Sequence, residues 1–360
     1  MQFFGLIPQR FLGVDIGTSA IKAVEVSSWA GRKKLESYGE IPASVLYKKP
    51  FRTFEKSTLL FSNEDIARAI QAIIEEAEIK SKHIAFSVPD FSTFFTNFEL
   101  PPMTEREIPQ AVKAEARRHI PLPLAEVTLD WQIVPQLPSV SQSKNIRVLL
   151  VVVPNETINQ YKMIAKGLEL EMVALEAETF GTIRSLVSEK ERGSIALVDI
   201  GGRSTSCSII YRGLLRSSHS FDVSGGNFIE RLSKGLAIDY LKAKELIRSH
   251  GILGGEAGSK AANIEESLES VINLMTNEIG DTFETFKLKE GVDVERIILS
   301  GGTANMPGLL GYFKERFPKM KIELADSFAK LFCPPILSEK LKEMGPSYAI
   351  AVGMALKGLE

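Results

Sequence analysis

The sequence predicts an α/β protein built from two lobes of one plan, and a repeated device carries that expectation. Gly13-Val14-Asp15-Ile16-Gly17 recurs as Leu197-Val198-Asp199-Ile200-Gly201, each copy inside a strand-like run and each followed by small hydroxyl residues. Two copies of one device in one chain imply two similar units. The flanking patterns agree: Phe11 to Ser27 alternates on both sides of its turn (Val14, Ile16, then Ile21, Ala23, Val24, Val26), and Ile195 to Tyr211 does so again with Leu197, Ile200, Ile209 and Ile210. That is the pattern of a β-hairpin leaving a sheet. A length of 360 residues exceeds one ordinary core and suits two or three.

Between the two hairpins, Ser62 to Glu78 reads as an amphipathic helix with Ile66, Ile70, Ile73, Ile74 and Ala77 on one face and Ser62 with Asp65 as a capping pair. From Ile84 the pattern changes to a strand (Ile84 to Val88), an apolar-aromatic stretch (Phe91 to Leu100) and a Pro101-Pro102 break. A helix follows with Thr104 and Glu107 as a capping box, and Pro109 argues that it starts later than Glu105. A Pro-rich turn (Pro121, Pro123), strand Val127 to Val134, a Ser-rich loop from Pro138 to Lys144 and strand Arg147 to Val153 complete an α/β insert spanning Ile84 to about Met172. Phe91, Phe94, Phe95 and Phe98 in that insert read either as core at strand spacing or as a peptide-binding face, with core the reading taken.

The second half continues with helices Phe228 to Leu236 and Leu241 to His250, a Gly251 to Gly258 loop, and a long helix from about Glu265 to Lys289 with Leu268, Val271, Ile272, Met275 and Ile279 on one stripe. Strand Arg296 to Ser300 runs into Gly301-Gly302, and Ser347 to Leu359 is a small-residue helix suited to close packing.

Composition excludes several classes. Apolar residues at 44%, charged residues at 24% and a net charge of −2 describe an ordinary globular chain without the basic face that a nucleic-acid partner needs. Cys207 and Cys333 are too far apart in sequence, and too few, for a disulfide framework or a zinc site, which favours a reducing compartment. His83, His119, His219 and His250 show no ligand spacing. No segment is long and apolar enough to cross a bilayer; Met1 to Phe11 reads as a loose terminal arm, so any membrane association is expected to come through a partner.

The chemistry lies in the repeated turns. Each glycine lets backbone approach an anion closely, and the N–H groups of such a turn point at phosphate oxygens. An aspartate at each strand end can hold a hydrated Mg2+, which takes one or two carboxylates plus substrate phosphates. Asp15 and Asp199 are therefore expected to bracket the phosphates of a nucleotide, with Gly17, Thr18, Ser19, Gly201, Gly202, Ser204 and Thr205 completing the grip and Lys22 reaching back as a point charge. A third element, Ile297-Ile298-Leu299-Ser300-Gly301-Gly302-Thr303, offers a glycine pair where base and ribose can lie against backbone. Gly254 to Lys260 lacks the Gly-Lys-Ser/Thr ending of a P-loop and follows no strand, so a flexible loop is expected there.

Taken together these motifs resemble the superfamily of actin, sugar kinases and heat-shock chaperones: a first phosphate motif at Asp15 to Lys22, a second at Asp199 to Thr205, and an adenosine motif at Ser300 to Thr303. The resemblance implies an actin-like ATPase fold, two lobes around a nucleotide cleft, with ATP and Mg2+ as ligands. Val173 to Leu186 looks like the connecting helix region, where Glu176 stands either as the residue that orients water or as a helix-start carboxylate. Val223-Ser224-Gly225-Gly226-Asn227 is similar to the family's ribose-side turn. Where the family often has an acidic residue after Ala243 and a lysine three residues later, this chain has Lys244 and Ile247, leaving Glu245 as the substitute.

Within the superfamily the insert is of the FtsA and PilM type, and Phe98 to Thr104 followed by Glu115 to Pro121 resembles the PilM family in particular, over nearly the whole length from Phe11 to Leu359. The implied division is subdomain 1A (10–83 with 173–193 and 337–360), inserted 1C (84–172), 2A (194–227 with 291–336) and 2B (228–290). The implied role is that of a cytoplasmic ATP-binding adaptor of type IV pilus assembly with slow hydrolysis or none, peripheral to the inner membrane. Its expected partners are the N-terminal cytoplasmic peptide of PilN, other platform and motor proteins of the pilus machine, and further copies of itself. An FtsA-like polymerising protein is the alternative, though it would carry an amphipathic membrane helix at its end. A sugar kinase would need an aspartate facing a sugar pocket, and none stands out.

Overall fold

A computed structural model describes residues 9–46, 54–55, 58–59, 62–135, 144–253 and 260–360. The expectations for the terminal arm up to Pro8, the Ser-rich loop from Pro138 to Ser143 and the glycine-rich loop from Gly254 to Ser259 lie outside these residues.

The chain begins with β1 (Gln9–Ile16), β2 (Ala20–Trp29) and β3 (Arg32–Pro42), followed by α1 (Ala43–Leu46), the short pair β4 (Phe54–Glu55) and β5 (Thr58–Leu59), and α2 (Asn63–Glu76). β6 (His83–Val88) leads into β7 (Phe94–Leu100), α3 (Ile108–His119), β8 (Val127–Ile133) and β9 (Ile146–Pro154). The path returns through α4 (Asn155–Gly167), β10 (Glu171–Ala177) and α5 (Glu178–Leu186). The second half runs β11 (Ser194–Ile200), β12 (Thr205–Tyr211), β13 (Leu214–Phe221), α6 (Gly225–Gly235), α7 (Tyr240–His250), α8 (Lys260–Glu290), β14 (Arg296–Ser300), α9 (Leu309–Arg316), β15 (Lys321–Leu324) and α10 (Ser338–Lys357).

The repeat read from sequence is a repeat of topology. One sheet has the order β10-β6-β1-β2-β3 and the other β15-β14-β11-β12-β13. In each, the strand carrying the Asp-Ile-Gly turn pairs antiparallel with the next strand and parallel with a later one. A strand with neighbours on both edges and helices on its faces is buried throughout, and Leu12 to Ile16 are accordingly buried without a break. Leu12, Val14 and Ile16 face Ile66, Ile70 and Ile73 of α2, which Ser62 caps by accepting the Asp65 N–H at 3.1 Å.

Insert strands pair antiparallel in the order β7-β9-β8. Period-2 alternation sends Val148, Leu150 and Val152 of β9 toward α3, with Phe98, Val112 and Ala116, and Leu149 the other way. Thr104 N–H does bond Glu107 Oε2 at 2.8 Å, but the helix begins after it, at Ile108, because Pro109 fits the first turn where no N–H is needed. The phenylalanines divide. Phe98 joins the insert core, Phe95 packs on Phe180, Phe91 lies under the Arg203 guanidinium at 4.4 Å, and Phe94 is exposed.

The last helix departs from expectation. It starts nine residues before Ser347, and Pro346 sits inside it. A proline normally marks a boundary, yet here Leu341, Tyr348, Val352 and Leu356 form one buried stripe across it, and that burial outweighs one missing hydrogen bond. α10 crosses α5 so closely that a Cβ on Gly353 would stand 1.9 Å from the Gly181 carbonyl oxygen. Gly353→Ala should therefore force the two helices apart and destabilise the protein by about 1–3 kcal/mol, measurable by chemical denaturation, whereas Gly280→Ala, on open space in α8, should not.

Candidate functional site

The two repeated turns close in the same way. Gly17 N–H donates to the Ala20 carbonyl at 3.1 Å, and Gly201 N–H donates to the Ser204 carbonyl at 3.0 Å. They also touch: a Cβ on Gly202 would lie 2.1 Å from Ser19 Oγ and 2.9 Å from Thr18 Oγ1, so only glycine fits where the turn of one lobe meets that of the other.

Two further segments stack on the second turn. Gly225 and Gly226 N–H donate to the Gly201 and Gly202 carbonyls at 2.9 and 3.0 Å, and Ser224 Oγ donates to the Gly202 carbonyl at 3.1 Å. Asn227 Oδ1 accepts the Ser224 N–H at 2.9 Å, locking the start of α6. Thr303 N–H donates to the Ile200 carbonyl at 3.2 Å and its Oγ1 to the Gly201 carbonyl at 3.4 Å. Gly301 adopts φ 91°, with backbone of Ile200 so near that a side chain has no place, while Gly302 faces open space.

The structure thus brings together Gly17, Thr18, Ser19, Gly201, Gly202, Gly225, Gly226, Asn227, Gly301, Gly302 and Thr303. Three expected contributors are otherwise engaged. Thr205 is fully buried with its hydroxyl on the Val223 carbonyl at 2.6 Å. Lys22 faces Asp15 across the hairpin, donates to the Ser347 carbonyl at 2.7 Å and lies over the Tyr348 ring. Glu245 is exposed on α7, and among the described residues no ion pair ties its carboxylate to the turns.

Around the meeting point, acidic groups accumulate. Asp15 is buried and accepts the Ser87 hydroxyl at 2.9 Å; burial raises its pKa, which Lys22 and that hydroxyl partly offset. Asp90, also buried, accepts the Thr179 hydroxyl at 2.7 Å and the Thr179 N–H at 3.2 Å, and burial again raises its pKa. Glu178 accepts the Asp90 N–H at 3.2 Å and is pushed well above the usual carboxylate range by burial and by the charges of Asp15, Asp90 and Asp199. Asp199 is raised from 3.8 to about 7, by burial first and then by Asp15 and Asp90.

Glu176 does not join them. Its carboxylate pairs with Arg184 at 2.8 Å and Lys357 at 3.3 Å, which satisfies its charge beside α5 and α10. The glutamate that faces the turn aspartates is Glu178.

The sequence matches the family described as Type IV pilus assembly protein PilM over residues 13–359. The chain belongs to the PilM family. Among solved structures it is similar to a PilM-PilN type IV pilus biogenesis complex, at a TM-score of 0.83 and 24% identity, covering 97% of this chain and 98% of that one. It is also similar to the ethanolamine utilization protein EutJ from Carboxydothermus hydrogenoformans, at a TM-score of 0.54 and 16% identity over 98% of this chain and 90% of that one. MreB 5 of Spiroplasma citri bound to AMPPNP gives a TM-score of 0.54 and 14% identity over 98% of this chain and 96% of that one. The fold is the actin-like one, and the family match favours PilM over the FtsA-like alternative.

In this PilM-family chain the sequence reading missed Glu178 and Asp90. Glu178 was passed over because Glu171–Ala177 is strand, so the helix that presents an acid to the cleft begins two residues later than Glu176. Asp90 belongs to no motif, but it follows the carboxyl end of a buried parallel strand next to β1, which is where open α/β sheets hold their ligands.

For a cation, the donor set fits indirect binding. Asp199 Oδ1 is buried and makes no hydrogen bond among the described residues, so it has acceptor capacity to spare. No three His, Cys, Asp or Glu side chains among those residues converge closely enough to cage an ion alone. An ion here must take its remaining oxygens from water or a ligand.

Asp199 also sets a pH dependence. It titrates near 7 when folded and at its ordinary 3.8 when unfolded, so between those values the folded state holds a proton that the unfolded chain has lost. Its contribution to stability therefore worsens as pH rises through that window and stays unfavourable above it. Without added nucleotide, Asp199→Asn should raise the thermal midpoint by several degrees near pH 8, with the gain vanishing near pH 4; thermal melts across that range test this.

Proposed function

We propose that the chain is an ATP-binding adaptor of the type IV pilus machine, which takes Mg-ATP between its two turns and binds the N-terminal cytoplasmic peptide of a PilN-type partner. The observation that carries the nucleotide reading is the contact between Gly202 of one lobe and Ser19 of the other beside buried Asp15 and half-buried Asp199. Membership of the PilM family supports the pilus role, and the similar PilM-PilN complex supports PilN as the partner. MreB 5 bound to AMPPNP supports an adenine nucleotide as the ligand of this fold.

On this reading the first-lobe turn (Gly17, Thr18, Ser19) and the second-lobe turn (Gly201, Gly202, Ser204) present N–H and O–H donors to the phosphates. Gly225, Gly226, Asn227, Gly301, Gly302 and Thr303 form the wall for ribose and base. Asp15 and Asp199 hold Mg2+ through water, and the ion would neutralise phosphate charge and return the raised carboxyl of Asp199 to its ionised form. Glu178, held by the Asp90 N–H, is the group placed to orient water, and burial with the charges of the neighbouring acids raises its pKa. Lys22 would join the phosphates only by leaving the Ser347 carbonyl.

The subdomain division 10–83, 173–193 and 337–360 (1A), 84–172 (1C), 194–227 with 291–336 (2A) and 228–290 (2B) is part of this proposal, with the peptide groove between the first lobe and its insert. No helix among the described residues is long and apolar enough to cross a membrane, and a PilN-type partner would supply recruitment to the inner membrane.

Titration calorimetry with Mg-ATP should show binding to the intact chain and a loss of roughly 100-fold or more for Asp15→Ala with Asp199→Ala. Unchanged affinity in that double variant would sink the reading. Glu178→Gln should leave affinity within about threefold while lowering any measurable phosphate release, about tenfold or more.

A further inference from the structure

The insert strands leave the first lobe after β6, and the chain packs back into it at α4, yet much of one side of the insert is fastened to the second lobe. Leu149, facing away from the insert's own core, buries with Val134 against Leu215 of β13, and Phe95, Phe180 and Ile183 close around them. Asn97 of β7 donates through Nδ2 to the Arg216 carbonyl at 3.2 Å. The Arg216 guanidinium, on a residue only 2% exposed, donates to the Pro135 carbonyl of the insert. Arg147 of β9 pairs with Glu290, the last residue of α8 and itself 2% exposed. Arg216 is near enough to feel both charges of that pair, attracted by Glu290 and repelled by Arg147.

The roots of the insert lie in the cleft. Asp90, two residues beyond β6, binds Thr179 of α5, and Thr179 Oγ1 stands 3.1 Å from Ser208 Oγ of β12. A body rooted beside the nucleotide turns in one lobe and clamped to the outer strand of the other spans the gap between them. The lobes therefore cannot part while the clamp holds, unless the insert tears from its own roots.

We propose that the Arg147–Glu290–Arg216 seam is a clamp by which the insert holds the cleft shut and sets the rate of nucleotide release. This rests on the cleft binding ATP, and it makes the insert the part through which a partner bound to it changes nucleotide residence. Removing the carboxylate leaves half-buried Arg147 and buried Arg216 repelling each other with no counter-charge between them, which is more disruptive than losing the whole ion group.

The test follows release of a fluorescent N-methylanthraniloyl ATP from the full chain with Mg2+ by stopped flow. Glu290→Gln should speed release by about tenfold, and adding Arg147→Gln, which removes an opposed charge but not the loss of the bridge, should slow it only in part, leaving release at least about threefold faster than in the unaltered chain. Asn97→Ala deletes a neutral bond outside the ion group and should fold normally, speeding release about twofold to threefold. Release unchanged in folded Glu290→Gln, or unchanged in Asn97→Ala should Glu290→Gln fail to fold, overturns the clamp. If the unaltered chain takes up no analogue, the nucleotide reading itself has failed. Hydrogen exchange at β7 and β13, faster in Asn97→Ala than in the unaltered chain, then still supports a strap between the lobes, and equal exchange refutes it.

Discussion

The structure turns on the crowding of acids where the two lobes meet. Asp15 and Asp90 are buried, Glu178 and Asp199 half-buried, and all four are close enough for their charges to act on one another, with Lys22 as the nearby cation that lowers Asp15 and Asp199. Such a group is tolerable in the folded chain because protons remain on part of it and hydroxyls from Ser87 and Thr179 solvate the rest. A ligand that brings positive charge to this point gains what the fold alone has to forgo. Function and instability are therefore the same feature, seen with and without that charge.

Duplication supplies the geometry that makes such crowding useful. Two sheets of one topology each end a central strand in an aspartate and a glycine turn, and these ends meet where Gly202 lies against Ser19 and Thr18. The insert adds a second bridge between the halves at some distance from that contact. A molecule joined at two separated places resists hinge motion more than one joined at a single axis, which is how a strap from the insert to β13 would bear on the turns where the sheets meet.

Much of this was legible in the residues. Repeated Val-Asp-Ile-Gly turns, their flanking alternation and the Ser300-Gly301-Gly302-Thr303 turn are local signals, and local signals fixed the lobes, the hairpins and the cleft. The parts that were not legible depend on three-dimensional neighbours. Glu176 and Glu178 differ only in whether Arg184 and Lys357 reach them, and no spacing rule reports that. α10 runs through Pro346 because of burial from both lobes, which a breaker residue read in isolation conceals. Arg216 is an ordinary strand residue in sequence, and only the packing of Leu149 on Leu215 explains a guanidinium sealed from water.

Adjacent carbonyls in the middle of α10 hold one group from each half: Pro346 accepts the Gly301 N–H at 2.8 Å, and Ser347 accepts Lys22 Nζ from a position 325 residues earlier. On the ribosome, the first hairpin emerges long before that helix exists. Its tie to Ser347 stays unmade until α10 has been translated, so the nascent strands exist before the contact that fastens them to that helix.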